Sequence, residues 1–334
     1  MLRSPDSYRD LPRNDEPQMK PFEQIFSELL PQLEELELAR QQQYKSAKKW
    51  LNITIVIAVA TVVVLLFVRH PAVIIVGGIL AAASYFGGYF SAARKYKSEF
   101  KDKVFTKILQ AVNPGLAYNK SGYISKENFY ESKIFTERAD RYSGEDYISG
   151  MVDKTQIEFS ELHTQERRVT SNGKTTTVHY VTFFKGLFMI ADFHKNFHGH
   201  TIVLPDTAEK LFGFLGKKLQ NWNFTRDEVV HMENAEFEKV FVVYSNDQVE
   251  ARYILSTSMI ERILDLKKKY NTNVYLSFIN SKVFVALQNN KNLFEPAFKE
   301  SITNSDYIRT FYNELGACLS IVDDLNLNTR IWSK

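Results

Sequence analysis

The apolar and polar positions divide the chain into a membrane-like segment near its start and a larger globular part. Residues 51–68 contain no charged side chain, and a second uncharged segment, 72–93, follows a short Arg-His-Pro turn. A helix of about 18 residues is roughly 27 Å long, close to the ~30 Å hydrocarbon core of a bilayer. The pattern therefore predicts two transmembrane helices, at about 51–68 and 72–92, which form a tight hairpin within residues 50–93.

The basic residues beside these segments predict which way the hairpin faces. They lie outside both apolar segments: Arg40, Lys45, Lys48 and Lys49 before the first, and Arg94, Lys95, Lys97, Lys101 and Lys103 after the second. The connecting turn carries only Arg69 and His70. Because the flanks rich in Lys and Arg stay on the cytoplasmic side of a membrane, both termini are expected in the cytoplasm.

Small residues recur on one face of the second apolar segment. Gly77, Ala81, Ser84 and Gly88 are spaced by four, three and four positions, which keeps them on one helical face. Such residues let helix backbones approach closely in lipid. The stripe predicts either packing against the first apolar segment or a homo-oligomer contact. Neither segment holds an ionisable residue deep in the bilayer, which argues against a transporter or channel.

The regions on either side of the hairpin have their own patterns. Residues 1–20 are polar and contain three prolines, a composition typical of disorder. Helical periodicity predicts an amphipathic helix over 21–49 and another over 94–112. Their apolar faces either pack against each other as a short stalk or lie on the lipid surface.

Residues 113–334 mix strand and helix periods, with strands clustered in the middle and helices between them at irregular intervals. This arrangement predicts a soluble α+β domain with a mainly antiparallel sheet. Asn172-Gly173 predicts a tight hairpin turn, which would place Glu166 opposite His179. The predicted strands are 155–168, 175–184, 187–193, 201–204, 240–244, 274–279 and 282–286, and the predicted helices include 258–269 and 306–322.

Composition and motifs argue against some classes of function but do not identify the function. The formal charge of +3 is too small to indicate nucleic-acid binding. The single cysteine, Cys318, has no partner for an internal disulfide and lies in an apolar helical pattern typical of a core residue. The sequence contains no phosphate-binding glycine loop, no nucleophile elbow and no His-Glu-x-x-His. It therefore predicts no catalytic residue and no cofactor.

Three histidines in the stretch FHKNFHGHT are the candidate metal ligands: His194, His198 and His200. Imidazole nitrogens are common metal ligands, and histidines in one loop can converge on an ion. The stretch also lies between two strand patterns and contains Gly199, which is typical of a turn. Two interpretations stay open, a metal-binding loop and a solvated hairpin tip.

Three segments resemble a known family: FKGLFMIADFHKNFHGHTIVLPD, EFEKVFVVYSNDQVEARYILS and IVDDLNLNTRIW. They are similar to an uncharacterised bacterial family, domain of unknown function 3137, and the resemblance extends from about Ser121 to Trp332. It implies a bacterial inner (plasma) membrane protein with a double span and a C-terminal soluble domain. It points to a LemA-type membrane protein as a partner. It implies no activity, ligand or catalytic residue.

These observations favour a membrane-anchored cytoplasmic interaction or scaffold protein over an enzyme. Its expected partners are the lipid bilayer and another protein, and not nucleic acid. Two alternatives remain. One is a membrane-bound metal-dependent enzyme that uses the loop of His194, His198 and His200. The other is an oligomeric membrane assembly formed through the stripe of small residues.

Overall fold

Two long helices form the first third of the described chain. The computed structural model describes residues 20–193, 195–206 and 228–328, so the leader predicted over 1–20 lies outside it apart from Lys20. Helix α1 (Phe22–Val68) has 47 residues, and helix α2 (Ala72–Val112) has 41. Both helices are long and apolar enough to cross a membrane.

Helix α2 contains two π-helical segments, Tyr85–Phe90 and Lys101–Phe105. A π turn accommodates an extra residue and so changes which side chains face a neighbouring element. The first π segment lies at the end of the apolar part of α2. The second begins at Lys101, where α2 meets the sheet.

The predicted stripe of small residues packs against α1, and its glycines are fixed by close contacts. A Cβ atom at Gly77 would lie 2.1 Å from the Oγ1 of Thr61. A Cβ at Gly88 would lie 2.2 Å from the Cγ of Trp50. Because both distances are far below van der Waals contact, only glycine fits these two positions.

The middle of the stripe faces the same way. The Ser84 hydroxyl lies 2.9 Å from the hydroxyl of Thr54 on α1, and Ala81 is half-buried. The stripe therefore lies between the two helices of the chain. A homo-oligomer contact through this face would have to displace α1.

Within the described residues, nine strands form one sheet beside these helices. Their order is β1-β2-β3-β4-β9-β8-β5-β7-β6, and every neighbouring pair is antiparallel. The prediction of an α+β fold with a mainly antiparallel sheet is confirmed. The strands are β1 (Leu116–Asn119), β2 (Arg141–Val152), β3 (Thr155–Ser171), β4 (Thr176–Asp192), β5 (His200–Pro205), β6 (Glu228–Val229), β7 (Phe241–Ser245), β8 (Val274–Ile279) and β9 (Lys282–Gln288).

Shorter helices connect the strands or cover the sheet. They are α3 (Lys126–Glu131), α4 (Ala235–Glu238), α5 (Gln248–Ile254), α6 (Thr257–Tyr270) and α7 (Ser305–Asp324). The last two begin and end within two residues of the helices predicted over 258–269 and 306–322. Their long amphipathic stripes make such helices the easiest elements to recognise in a sequence.

The sheet separates two apolar cores. The smaller core lies under α3 and the loop that follows it, and it contains Phe129, Phe135, Phe184, Phe188 and Phe284. The larger core joins the opposite sheet face to α1, α2, α6 and α7, and it includes Phe22, Phe100, Phe159, Leu276 and Phe311. The amphipathic parts of α1 and α2 therefore pack on the sheet domain as well as on each other.

The turn between β3 and β4 is longer than predicted. Residues 172–175 form a four-residue loop, in which the Asn172 side chain accepts hydrogen bonds from the backbone of Lys174 and Thr175. This Asx-type turn shifts the register by two residues. His179 consequently pairs with Arg168 and not with Glu166.

Replacing Gly88 by Leu should separate the two long helices, since a side chain there overlaps the Trp50 ring. Overpacking of this kind costs about 1–3 kcal/mol, so we expect a lower midpoint of thermal unfolding for the purified protein in detergent. The matched control is Gly87→Leu, because a Cβ at Gly87 meets no atom within 4 Å. Equal midpoints for the two variants would contradict the packing described here.

Candidate functional site

The ends of α1 and α2 that lie away from the connecting turn are fixed to the sheet domain by buried charges. We call this region the joint, and it consists of a Glu37–Arg40 pair on α1 and a cluster around Lys101 on α2. Charged side chains are seldom buried unless they are paired, so two such clusters mark a specific contact. The joint is therefore the candidate site of this protein.

The pair on α1 holds the loop that precedes α7. Arg40 donates hydrogen bonds of 2.9 and 2.6 Å to the carboxylate of Glu37, one turn away on the helix, and another of 2.9 Å to the carbonyl of Phe298. The backbone N–H of Ile302 donates to Glu37 at 3.0 Å. Burial opposes ionisation of Glu37, but hydrogen bonds from Arg40, Gln41 and Ile302 lower its pKa to about 2. The pair is thus ionised at neutral pH and hydrogen-bonded to the loop.

Aromatic rings fill the space between the two parts of the joint. Tyr96 of α2 stacks on Phe298 at a centroid distance of 4.9 Å, and Phe105 lies 4.5 Å from Phe294. Both partners belong to the loop 289–304 between β9 and α7. This loop therefore forms part of the contact between the long helices and the rest of the domain.

Lys101 is buried in α2 among three carboxylates, and only 3% of its side chain is exposed. Its Nζ lies 2.6 Å from Asp146, 3.0 Å from Glu145 and 3.1 Å from Glu295. Lys97, one turn earlier on α2, adds a second ammonium 2.7 Å from Glu295. These five charged side chains tie α2 to β2 and to the loop before α7.

Two irregularities of the backbone place these groups. Lys101 begins the second π segment of α2. Asp146 has a positive φ of 61° and lies in a bulge, where the pairing of β2 with β3 skips from Glu145 to Ile148. A bulge interrupts the strict alternation of side chains along a strand. The adjacent residues Glu145 and Asp146 can therefore both reach Lys101.

The charges of the cluster stabilise one another. Burial alone would disfavour the Lys101 ammonium, but the carboxylates of Asp146, Glu145 and Glu295 outweigh this effect and raise its pKa. Burial raises the pKa of Asp146 to about 6 against the pull of Lys101 and of the Tyr118 hydroxyl, which donates to it. Lys101 and Asp146 are thus both ionised at neutral pH.

The three carboxylates could in principle attract a metal ion. Their oxygens lie within 4.8 Å of one another in Glu145, Asp146 and Glu295. The Lys101 ammonium, however, already lies among these oxygens and supplies the positive charge. The arrangement is suited to holding α2 against the sheet.

A polar cleft opens beside the Lys101 cluster. The pairing of β2, β3 and β4 aligns Ser143, His163 and Lys185 in one row, and Glu145 with Glu161 two residues further along. The cleft has a volume of about 180 Å³ and is also lined by Asn289, Lys291 and Asn292. It brings a buried carboxyl group to the edge of the joint.

Glu161 is the chemically distinctive residue of the cleft. Burial raises its pKa to about 8, an effect to which Asp146 and Glu145 add, although the Leu293 N–H donates a hydrogen bond to its carboxylate. Burial and then the charge of Lys185 lower the pKa of His163. The cleft can therefore hold and release a proton at Glu161 near neutral pH.

Two of the three candidate histidines lie outside the cleft, between the end of β4 and the start of β5. His194 lies outside the described residues, whereas His198 and His200 lie in the loop before β5 and at the start of that strand. The Glu250 carboxylate accepts a hydrogen bond from the His198 N–H at 2.8 Å. The Lys133 ammonium lies 3.3 Å from the Nδ1 of His200, which discourages a metal ion at that nitrogen. Metal binding by the three histidines stays a prediction.

The Lys101 cluster is difficult to predict from the sequence. Its carboxylate partners Glu145, Asp146 and Glu295 lie 44, 45 and 194 positions away, so no local spacing connects them. Apolar residues do repeat every four positions from Phe100 to Val112, but this spacing is also that of an ordinary amphipathic α-helix and does not indicate the cluster.

Replacing Lys101 by Met should destabilise the protein by about 3–5 kcal/mol, because it leaves the carboxylate of Asp146 buried without its cation. Adding Asp146→Asn should restore part of the loss. The control is Lys97→Met, whose side chain is 35% exposed, and for which we expect about 1 kcal/mol or less. Chemical denaturation in detergent measures all three. Equal effects of the two lysine variants, or no recovery in the double variant, would contradict the role given to Lys101.

The proton on Glu161 should make stability fall as the pH rises. The pKa of Glu161 rises from an ordinary 4.5 to about 8 on folding, so the folded protein binds an additional proton between these values. The stabilisation is complete below pH 4.5 and is lost as the pH rises through 8. Glu161→Gln keeps the acceptor for Leu293 but cannot ionise. We expect its thermal midpoint to match the wild type near pH 5 and to exceed it near pH 8.5. If the thermal midpoints of the variant and the wild type changed in parallel with pH, this assignment of the proton to Glu161 would be refuted.

Comparison with known proteins adds a family match over part of the chain but no activity. No curated protein matches this chain. The crystal structure of the mycobacterial trehalose monomycolate transport factor A, TtfA, is similar at 9% identity, over 67% of this chain and 94% of that chain. Its TM-score of 0.31 is too low to support an argument about fold or function.

The family match is narrower than the resemblance seen in the sequence, beginning at residue 182 and not near Ser121. It begins within β4 and extends past the end of α7, and therefore includes the loop of the joint but neither of the long helices. Residues 182–327 match the family described as "Protein of unknown function (DUF3137)", which confirms the resemblance over that range.

Proposed function

We propose that this protein is a membrane-anchored cytoplasmic interaction or scaffold protein. In this proposal α1 and α2 cross the bacterial inner membrane as a hairpin, and the joint holds the α+β domain at the cytoplasmic face. The observation that carries the proposal is the division of both helices into two parts. Their ends near the connecting turn expose apolar side chains, whereas their other ends are buried in the core of the domain.

The exposed part of the hairpin supports insertion in lipid. Leu66 and Phe67 are 68% and 83% exposed, and similar side chains continue around both helices. A continuous apolar surface of this size is unfavourable in water and marks contact with a membrane or another protein. The lengths of the two apolar segments match a bilayer, which favours the membrane.

The distribution of basic residues supports the proposed orientation of the hairpin. The connecting turn has little positive charge, whereas the other end of the hairpin has a ring of lysines and arginines. This asymmetry favours a cytoplasmic location for both termini and for the domain.

A surface ribbon supports the interaction role. Residues 166–171 of β3 and 176–181 of β4 pair only with each other among the described strands, and we call this segment the ribbon. Val169 and Val178 pair across it with 51% and 43% exposure. A two-stranded ribbon gains little stability in isolation, so an exposed valine pair on it is suited to a partner. A second membrane protein, of the LemA type that the family resemblance suggests, is the proposed partner.

Single-cysteine labelling tests the arrangement, because the one native thiol is buried at Cys318. In intact cells a membrane-impermeant maleimide should label a His70→Cys variant in the connecting turn. It should label Lys174→Cys, at the tip of the ribbon, only after the cells are permeabilised. With a photoactivatable maleimide, the Lys174→Cys variant should then form a cross-link to a membrane protein.

The wild-type protein is the control for both readouts and should stay unlabelled. Labelling of Lys174→Cys in intact cells would refute the cytoplasmic location. Extraction of the protein from membranes by alkaline carbonate would refute the anchor itself. Absence of any cross-link from the ribbon would count against the interaction role alone.

A further inference from the structure

We propose that the base of the hairpin binds the headgroups of anionic phospholipids through five exposed basic side chains. We call this set the collar, and it consists of Lys45, Lys48, Lys49, Arg94 and Lys95. The inference rests on the proposed membrane anchor and deepens it by naming the lipid class that the anchor recognises. All five residues are exposed.

The basic residues that flank the hairpin fall into two groups with different surroundings in the structure. Arg40, Lys97 and Lys101 are turned toward carboxylates of the protein, in the joint. The collar residues are turned away from it. Within the part of the chain that the structure describes, the recorded ion pair of the collar is Lys95 with Glu99, at 3.8 Å.

The surroundings of the collar leave its charge largely uncompensated. No Asp or Glu occurs between positions 38 and 98 of the sequence. Among the nearest acidic side chains, Glu37 is engaged by Arg40, while Glu145 and Glu295 are engaged by the lysines of the joint. Four or more positive charges on one level of a hairpin therefore remain available to an external anion.

The depth of the collar fits the phosphate layer of a bilayer. The contact of Trp50 with Gly88 marks the level at which the apolar segments end. Lys49 precedes Trp50 by one residue and Lys95 follows Gly88 by seven, which at 1.5 Å per residue places the collar between about 1.5 and 11 Å from that level. The headgroup layer on each side of a bilayer is roughly 5–8 Å thick, and lysine and arginine side chains span the difference.

Anionic lipid is the occupant that this geometry favours. Basic residues just outside a membrane span are attracted to an anionic surface when they lie within a Debye length of the headgroups. An acidic protein would have to reach the collar between the domain and the bilayer. Phospholipid phosphates already lie at this level on every side.

The test compares two lipids around the full-length protein. It would be reconstituted in phosphatidylcholine vesicles with a trace of spin-labelled phosphatidylglycerol or spin-labelled phosphatidylcholine. The motionally restricted fraction then gives the relative association of each lipid. We expect a preference for phosphatidylglycerol of about three-fold or more, falling as salt is added. A variant with Lys48→Gln, Lys49→Gln, Arg94→Gln and Lys95→Gln should lose the preference.

The matched control is Lys103→Gln with Lys174→Gln, which removes exposed lysines beyond the collar and should keep the preference. A preference that survives in the collar variant, or equal association of the two lipids with the wild type, would overturn the inference. If the hairpin does not insert in the membrane at all, the experiment gives a different result. In that case neither lipid would show a restricted fraction, whereas an anchored protein without a lipid-binding collar would restrict both lipids equally.

Discussion

The burial of the Lys101 ammonium is the interaction on which the arrangement of helices and sheet depends. Removing an ammonium from water costs several kcal/mol, and only well-placed carboxylates offset that cost. Asp146, Glu145 and Glu295 meet this condition with distances of 2.6–3.1 Å. Since they come from β2 and from the loop before α7, the charge is satisfied only when α2, the sheet and that loop come together. The cluster thereby fixes the position of the domain relative to the hairpin.

The larger apolar core also joins the two long helices and the sheet domain into one folding unit. Phe22 of α1 and Phe100 and Phe105 of α2 are buried in the larger core, although the same helices carry the apolar hairpin. A fragment that begins at residue 113 would lose these side chains and expose the sheet face they cover. Biochemical work on the domain, including metal analysis of the histidine loop, therefore requires the full chain. The proposed collar lies where the exposed apolar surface of the hairpin ends and burial in the protein core begins.

The sequence predicts the parts of the structure that depend on local periodicity. The apolar segments, the strand over 274–279 and helices α6 and α7 follow from repeats of two or 3.6 residues. The stripe that includes Gly77 and Gly88 is recognisable because its members lie on one helix. The Lys101 cluster and the proton on Glu161 are not predictable in this way, because they arise where distant segments meet. The four-residue loop at Asn172 shows a further limit, since a side-chain hydrogen bond there changes the register.

The π segment Tyr85–Phe90 explains how one face of α2 serves both environments. In an ideal α-helix each residue turns about 100°, so Tyr96 and Phe100 would lie about 100° and 140° around the helix from Gly77, which precedes the π segment. One extra residue taken up by the π turn removes about 100°, which brings Tyr96 into line with Gly77 and Phe100 within roughly 40° of it. The face that packs on α1 within the hairpin thus continues as the face that carries Tyr96 and Phe100 into the core. A regular helix would turn these rings away from the loop of the joint, and the contact with Phe298 would be lost.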